Sequence, residues 1–334
     1  MGPALRIGTH NVNGIRAALR RGFRRYWDAT GADVIALQEV RCRVDDLPLE
    51  AFHGYHVTLD TGLTAGRNGV AVMTRARPAR VRALDGTAYQ FGPDLEPESV
   101  PAERIVNRDL ARFATEGRYL EVDLADAPLR VASLYLPKGA AWPHEEGTEE
   151  KYLRKMRFMR GFARLLTTSR REAAADGREF LVMGDFNIAH TRQDLRNWRT
   201  NQKSEGFLPE EREWFSSILG PRSLVDVVRR AHPDAEGPYS WWSWRGQAWA
   251  NDAGWRIDYH LASPALAKGA TAAWVGREAT YEERISDHSP VLVDYSITSG
   301  PLTRSPLSPR VRTACPARVR CAPVASPATA RSDP

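Results

Sequence analysis

Apolar residues gather in short runs interrupted by glycine, proline or charged residues, which is the pattern of buried strands. The pattern predicts eight strands, over residues 5–9, 33–37, 70–74, 119–124, 130–136, 180–183, 257–262 and 290–294. Helical patterns lie between some of these runs, and the mixture favours sheet layers covered by helices. The long acidic stretch 85–107 carries no pattern that assigns an element to it.

Two helices are predicted from their spacing and their first residues. Over 148–166 the apolar residues step by four and three, at Tyr152, Met156, Met159, Ala163 and Leu166. Thr148 is expected to cap this helix, and two glutamates follow in its first turn. A second helix is expected to begin near Pro209, because proline is tolerated in a first turn.

Polar side chains recur where the predicted strands begin or end. They are Asn11, Gln38, Glu39, Tyr135, Asp185, Asn187, Asp258, Asp287 and His288. If the strands pack side by side, these groups can converge on one rim of the sheets. Each has an ordinary alternative as a turn residue, a solvated charge or a buried structural acid. Their joint occurrence in one chain favours a functional site.

A cluster of Glu39, Asp185 and Asp287 would raise the pKa values of its own carboxyls unless a cation joined it. Oxygen ligands without cysteine suit Mg²⁺ or Mn²⁺ better than zinc. Asn11 and Asn187 can add neutral oxygens or hydrogen bonds. A metal, a carboxylate that orients water and a histidine near the developing charge are the parts of a phosphodiesterase. The chain is therefore predicted to hydrolyse phosphodiesters.

Composition narrows the class of protein further. The chain has 334 residues and is 42% hydrophobic, which is ample for a buried core. No apolar stretch approaches the roughly 20 residues of a membrane helix, and the N-terminus has no signal-peptide core. The three cysteines show neither zinc spacing nor a disulfide framework. We expect a soluble cytoplasmic protein with no membrane partner.

The net charge of +6 lies mostly at the end of the chain. Residues 299–334 contain six arginines, one acid and seven prolines, so they carry +5 and leave +1 for residues 1–298. The basic balance is therefore weak evidence for nucleic-acid binding by the body of the protein. We predict a catalytic domain over 1–298 and a disordered Pro/Ala/Arg-rich tail over 299–334. The tail is either a dispensable extension or an arm that raises DNA affinity.

The motifs resemble those of the exonuclease III and AP endonuclease family, within the DNase I-like endonuclease/exonuclease/phosphatase superfamily. The matching segments are 11–16, 37–39, 135–137, 184–187, 197–214, 254–259 and 286–288. The segment 197–212 resembles the DNA-repair branch in particular, which disfavours a lipid phosphatase. The resemblance implies an α+β fold, a four-layer αββα sandwich of the DNase I type, with activity of the bacterial exodeoxyribonuclease III kind.

The resemblance also implies a metal site for Mg²⁺ or Mn²⁺. The implied ligands and their close neighbours are Asn11, Glu39, Asp185, Asn187, Asp287 and His288. Within this set Glu39 would hold the metal, helped by Asn11 and Asp287. Asn13 stands where some relatives carry an aspartate, which would make the metal shell one charge poorer.

Five residues would carry catalysis if the resemblance holds. They are Tyr135, Asp185, Asn187, Asp258 and His288. Asp185 would orient or deprotonate the attacking water, and Asn187 would donate a hydrogen bond to the phosphoryl oxygen. His288 would contact the scissile phosphate, and its pairing with Asp258 would favour the charged imidazole. Tyr135 would support the phosphate or the leaving group.

A further set of residues would bind DNA. It comprises Arg16, Arg41, Lys138, Asn197, Asn201, Trp241, Trp255 and Ile257. The two arginines would hold backbone phosphates without reading sequence. The two tryptophans and the isoleucine resemble the walls of a pocket for a flipped-out abasic sugar. Lys138 stands where many relatives carry a polar amide or a serine.

These features predict a Mg²⁺-dependent DNA repair nuclease that cuts duplex DNA 5′ to abasic sites. Activity on 3′-blocked ends, as a 3′→5′ exonuclease, phosphodiesterase or phosphatase, is compatible with the same residues. The protein is expected to act as a monomer. Two alternatives stay open: another phosphodiesterase of the superfamily that acts on RNA or a phospholipid, and a catalytically silent DNA-binding module.

Overall fold

A computed structural model describes residues 4–64, 66–93 and 95–297. The strands in this part are β1 (Ala4–Asn11), β2 (Val34–Gln38), β3 (His56–Asp60), β4 (Val70–Thr74), β5 (Arg80–Ala83), β6 (Thr87–Gly92), β7 (Leu95–Pro101), β8 (Glu103–Arg104), β9 (Tyr119–Asp123), β10 (Leu129–Tyr135), β11 (Glu179–Asp185), β12 (Val225–Asp226), β13 (Asp258–Ala262), β14 (Ala270–Val275) and β15 (Val291–Ser296). The α-helices are α1 (Ile15–Arg20), α2 (Phe23–Thr30), α3 (Glu149–Ala175), α4 (Pro209–Ile218), α5 (Val227–Ala231) and α6 (Pro264–Lys268).

The strands form two sheets of mixed direction. The first sheet has the order β14-β15-β1-β2-β4-β3-β6-β7, and the second has the order β12-β13-β11-β10-β9-β5-β8. In the first sheet β1 and β2 run parallel, and in the second β10 and β11 run parallel. Each parallel pair brings two strand ends to the same edge of its sheet, which is where ligand-binding groups collect in such folds.

Strand β2 shows how the core is divided. Val34 and Ala36 pack into the cluster between the two sheets, whereas Ile35 and Leu37 pack against the helices outside. Alternate side chains of a strand point to opposite faces, so a strand covered on both faces has a continuous apolar sequence. This is why a short apolar run was sufficient to predict the strand.

Helices cover the outer face of each sheet. Phe23 and Trp27 of α2 are buried against the first sheet. Phe158 and Phe162 of α3 are buried against the second sheet, together with Phe215 of α4. Each fully buried aromatic side chain contributes about 2–3 kcal/mol of transfer free energy. The order of layers is helix, sheet, sheet, helix, so the predicted α+β four-layer sandwich is confirmed.

The predicted elements lie where the structure has them, but one predicted helix is too short and several strands were not predicted. All eight predicted strands are present, with ends within two residues of the prediction. Helix α3 continues nine residues beyond the predicted end at Leu166. The unassigned stretch 85–107 contains β6, β7 and β8. The charged residues of β7 and β8 interrupt the apolar pattern from which a strand is predicted.

One predicted cap is wrong. Thr148 precedes α3, but its side chain makes no capping bond. Its Oγ1 donates to the carbonyl of Glu145 at 2.6 Å, in the turn that precedes the helix. Glu149 and Glu150 do occupy the first turn, where negative charge is favourable.

Within the described residues, no helix is long and apolar enough to cross a membrane. The predicted tail 299–334 and the predicted domain boundary at residue 298 lie outside those residues. The division into a catalytic domain and a tail stays a prediction, as does the cytoplasmic location.

Candidate active site

The ends of four strands place polar side chains together. Asn11 and Tyr135 are the last residues of β1 and β10, Asp185 is the last residue of β11, and Glu39 directly follows β2. Asp258 opens β13 opposite Asp185 in the antiparallel register. The rim predicted from the sequence therefore exists, and both sheets contribute to it.

The backbone at this rim is unusual. Glu39 and Asn187 have φ angles of 52° and 50°, in the left-handed region that most side chains avoid. Gly184 has φ 136°, and a Cβ there would lie 2.1 Å from the carbonyl oxygen of Leu134. Glycine is thus required before Asp185, because β11 packs against β10 without room for a side chain.

The carboxylates of Glu39 and Asp185 lie together under one amide. Nδ2 of Asn11 donates to Oε1 of Glu39 at 2.8 Å and to Oδ2 of Asp185 at 3.0 Å. Ligand atoms of Glu39, Asp185 and His288 all lie within 4.8 Å of one another. This oxygen-rich group, with one imidazole, can hold a divalent cation.

The electrostatics of Asp185 support that fit. Burial raises the pKa of its carboxyl to about 7, and the charges of Asp258 and Glu39 add to the effect, against the opposing charge of His288. Ionised Asp185 therefore lacks sufficient positive charge from the protein itself. A cation beside it would supply that charge and favour the ionised carboxylate at neutral pH.

Asp287 faces the same cavity but is held differently. Its Oδ1 accepts from Nδ2 of Asn13 at 2.9 Å and its Oδ2 from Nε1 of Trp241 at 3.1 Å. Burial alone would raise the pKa of Asp287, but the charge of His288 and these two hydrogen bonds lower it overall. Asp287 is therefore ionised, although it is not among the three residues whose ligand atoms lie within 4.8 Å. Its part in metal binding stays a prediction.

His288 is paired with Asp258 beneath the cavity. Its Nδ1 lies 2.8 Å from Oδ2 of Asp258, and that oxygen also accepts from Oγ of Ser240 at 2.6 Å. Burial disfavours the imidazolium, but the charge of Asp258 and its hydrogen bond outweigh burial and raise the pKa of His288 to about 10. Nε2 lies 3.8 Å from Oδ2 of Asp185, beyond hydrogen-bond distance. A charged Nε2–H can thus donate to a substrate oxygen.

Asn187 stabilises Asp185 with its backbone and its side chain. Its backbone N–H donates to Oδ1 of Asp185 at 2.8 Å. The side-chain Nδ2 donates to the carbonyl of Leu136 at 2.9 Å and to Oδ2 of Asp185 at 3.2 Å. Both amide hydrogens are thus engaged, so donation to a phosphate would replace the bond to Asp185.

Tyr135 is a hydrogen-bond donor at this site. Burial, and then the charges of Glu39 and Asp185, raise the pKa of its phenol well above the usual value. The guanidinium of Arg118 lies over the ring, 5.1 Å from its centroid, at a cation–π distance. The phenol therefore keeps its proton at any working pH.

Arg41 pairs with Glu39, one of the predicted metal ligands. Its guanidinium forms an ion pair with Glu39 and donates to Oδ1 of Asn13 at 2.5 Å. Arg16 lies in an adjoining cavity of about 380 Å³, which Arg41 also lines together with Arg20. The predicted phosphate-binding role of Arg16 and Arg41 stays a prediction, and Arg20 is an addition to it.

The functional groups open into a cavity of about 400 Å³. Trp241 and Trp255 meet edge to face, with ring centroids 6.2 Å apart, and Ile257 lies beside them. Trp198 and Phe207 pack behind this wall. One side of the cavity is thus a packed apolar wall, and the other carries the charges.

Most of the predicted site residues line this cavity. They are Glu39, Arg41, Tyr135, Lys138, Asp185, Asn187, Asn201, Trp241, Trp255, Ile257, Asp287 and His288. Asn11 and Asp258 lie beneath it, each bonded to a residue of the lining. Asn197 is exposed and outside the lining, and its carbonyl accepts from the side chain of Asn201 at 2.8 Å. Lys138 lies 3.4 Å from Glu205 across the cavity.

Several residues of the site were not predicted from the sequence. Ser204, Glu205 and Gly206 line the cavity, and the only signal for them is their place inside the motif 197–214. Arg256 is fully buried and pairs with Asp194 at 2.7 Å and with Asp226 at 2.8 Å. An arginine between two wall residues was the available signal for this second network.

A model of the endonuclease/exonuclease/phosphatase family matches residues 8–288. The chain belongs to this family. The match extends from three residues before Asn11 to His288, so it contains every residue of the site described above. The predicted resemblance is confirmed at the level of the family.

Several relatives of this chain have names that describe enzymes acting on DNA. A Bacillus subtilis exodeoxyribonuclease is 28% identical over 288 residues, which cover 86% of this chain and 98% of that protein. A DNA-(apurinic or apyrimidinic site) endonuclease of Dictyostelium discoideum is 27% identical over 86% of this chain and 69% of its own length. A Neisseria 3′ phosphatase solved with a product DNA hairpin has a TM-score of 0.70 at 25% identity, over 87% of this chain and 99% of its own.

Proposed function

We propose that this member of the family is a DNA repair nuclease that uses Mg²⁺ or Mn²⁺ to hydrolyse the phosphodiester 5′ to an abasic site in duplex DNA. One observation carries the proposal. Buried Asp185, charged His288 and the carboxylate of Glu39 converge at the floor of a cavity whose wall is formed by Trp241 and Trp255.

Asp185 is the group placed to activate water. Asn11 and Asn187 fix both of its oxygens, so the carboxylate cannot rotate away from the cavity. An ionised Asp185 orients a water molecule toward the phosphorus and accepts its proton. A bound divalent ion would neutralise charge on the phosphate and stabilise the departing oxygen.

His288 and Tyr135 are the donors for the phosphate oxygens. The imidazolium of His288 presents Nε2–H, and Asp258 prevents the ring from turning. Tyr135 presents a phenol that keeps its proton. Donors that are already oriented toward developing negative charge are the most effective form of transition-state stabilisation.

The apolar wall supports an abasic nucleotide as the substrate. A deoxyribose without a base is cheaper to extrude from the duplex, because base pairing has already been lost. Trp241, Trp255 and Ile257 leave an apolar surface on which such a sugar can pack. Relatives named as an apurinic/apyrimidinic-site endonuclease and a 3′ phosphatase support both this substrate and blocked 3′ ends.

We propose that the protein acts as a monomer on duplex DNA. The residues of one chain bring the ligand atoms of Glu39, Asp185 and His288 together, which supports this proposal. The arginines of the adjoining cavity lie where a DNA backbone could continue from the site. Their charge would hold phosphates without reading sequence.

The deciding experiment uses an end-labelled duplex with a single tetrahydrofuran abasic analogue. We expect one Mg²⁺-dependent nick on the 5′ side of the analogue, abolished by EDTA, and none in the matched intact duplex. Asp185→Asn should lower the rate by roughly 100-fold or more, since general-base catalysis contributes that much. Cleavage of RNA or of a phospholipid instead, or binding without cleavage, would contradict the proposal.

A further inference from the structure

A second histidine lies directly behind the catalytic one. His10 precedes Asn11 in β1, and its ring is 1% exposed. Its Nε2 lies 3.1 Å from the backbone carbonyl oxygen of His288. The ring stacks at 6.2 Å on Phe23, which belongs to the helix layer behind the sheet.

The protonation of His10 follows from its contacts. A carbonyl oxygen only accepts hydrogen bonds, so Nε2 of His10 must carry the hydrogen. Nδ1 is buried and has no hydrogen-bond partner among the described residues. Nε2 of His10 therefore donates to the carbonyl oxygen of His288.

The local backbone explains why this bond matters. The ladder between β1 and β15 ends at the pair Thr9 and Val291. The next residue of that segment is Pro290, which has no N–H to donate to β1. The N–H of Ser289 donates elsewhere, to the carbonyl of Ser240 at 2.8 Å. The side chain of His10 thus supplies a link between β1 and the backbone of His288 where the ladder has ended.

We propose that His10 is a positioning residue that fixes the backbone of His288, and thereby its imidazole, against the carboxylates held by β1. Asp258 holds the ring of His288 at Nδ1, and His10 holds its carbonyl. The neighbouring Asn11 holds Glu39 and Asp185. Two consecutive residues of one strand therefore set the distance between the imidazole and the carboxylates. This inference rests on the proposed nuclease function.

The alternative role for His10 is that of an ordinary core histidine, and the chain offers a matched control. His260 is also fully buried, lies 6.3 Å from the ring of Tyr295 in a stacked arrangement and bonds the carbonyl of Val291 at 3.2 Å. It has the same kind of bond to the same segment, but within the described residues its ring nitrogens bond to Val291 and to the hydroxyl of Tyr295 at 3.3 Å and not to His288. A purely structural effect would appear equally in both positions.

The kinetic test compares His10→Phe, His10→Gln and His260→Phe on the tetrahydrofuran duplex. Phenylalanine keeps the ring volume and removes the donor, whereas glutamine restores an N–H near the position of Nε2. We expect His10→Phe to lower kcat roughly 10- to 100-fold, the scale of a misplaced catalytic group, with KM within about threefold. His10→Gln should recover most of that loss. His260→Phe should lower the melting temperature without lowering kcat.

A spectroscopic measurement separates this inference from the proposed function. In the wild-type protein labelled with ¹⁵N and ¹³C, a scalar coupling should connect Nε2 of His10 with the carbonyl carbon of His288. Absence of the coupling, or equal kinetic loss in His10→Phe and His260→Phe, would overturn the inference. A wild-type protein that shows the coupling but cuts no abasic duplex would contradict only the nuclease proposal.

Discussion

Single residues at the site adopt a backbone conformation that costs free energy. Of the six non-glycine residues with positive φ in the described ranges, Asn13, Glu39, Arg41 and Asn187 all line the cavity. Such conformations cost about 1–3 kcal/mol each and persist only where the surrounding structure enforces them. At Asn187 the enforcing contacts are hydrogen bonds to Asp185 and Leu136. The bonds that hold Asn187 in its strained conformation therefore also hold Asp185 in the site.

The pKa of His288 gives a pH-dependent prediction. With Asp258 present, the pKa is raised to about 10 and the imidazolium persists across neutral pH. In Asp258→Asn the charge that opposed burial is lost, so the pKa should fall and the ring should be neutral at pH 8. We expect kcat/KM at pH 8 to drop roughly 100-fold or more, with partial recovery as the pH falls toward 6. The measurement is a pH–rate profile of both proteins.

A double variant controls this prediction. His288→Ala should be slow at every pH, and adding Asp258→Asn should cost little more, because the two residues act as a unit. Additive losses, or a deficit in Asp258→Asn that does not change with pH, would show that Asp258 acts in another way.

Arg41 predicts a property of metal binding that can be measured without substrate. Its guanidinium pairs with Glu39, so an incoming cation must displace it or bind beside it. Arg41→Ala should therefore bind Mn²⁺ more tightly, by roughly fivefold, since two unit charges about 4 Å apart in water interact by about 1 kcal/mol. Electron paramagnetic resonance of free Mn²⁺ measures the affinity. Arg43→Ala is the control, because Arg43 is 65% exposed and approaches Asp45 only at 4.0 Å.

Among the elements, helix α3 stabilises two loops of the cavity through one buried side chain. Lys155 is fully buried, and its Nζ lies 2.6 Å from Glu211 of α4. The same Nζ donates to the carbonyls of Lys138 at 3.0 Å and Asn187 at 2.9 Å. One helix thus anchors two loops of the cavity through a single ammonium group.

Removal of this ammonium group should be costly. Lys155→Met leaves Glu211 buried without its partner, and we expect the free energy of unfolding to fall by about 3–5 kcal/mol. Urea denaturation measures the change. The double variant Lys155→Met with Glu211→Leu removes both charges and should recover much of the loss. A single variant as stable as the wild type would contradict the assigned ion pair.

The same helix shows what a sequence pattern cannot contain. Of the predicted stripe, Met159 and Leu166 are buried, whereas Tyr152, Met156 and Ala163 are only partly buried. The buried face shares those two residues with the stripe and also includes the polar Lys155 and Ser169. Polar residues on a buried face are indistinguishable from solvent-facing ones until their partners are known. Glu211 and Glu121, which accept from them, lie far away in the sequence.

Across the whole molecule, the sequence was sufficient for features that depend on local order. Buried strands followed by Glu39 or Asp185 specify both the strand and the polar group at its end, so the strands and the rim could be predicted from the pattern. The order of the four layers was implied only by the resemblance to the family. Contacts between distant segments could not. The link from His10 to His288 and the pairing of Arg256 with Asp194 join residues that no local pattern relates.

The distribution of charge over the whole chain gives a final prediction. All residues assigned to the cavity lie between Asn11 and His288, whereas residues 299–334 carry +5 of the net +6. A protein ending at residue 298 should therefore keep the kcat of the full chain on the tetrahydrofuran duplex within about twofold, because interactions that serve only binding change KM and leave kcat unaltered. A lower kcat would contradict a site complete within the family domain. The salt dependence of KM distinguishes the two interpretations of the tail, since an arm that binds phosphates steepens it and a dispensable extension leaves it unchanged.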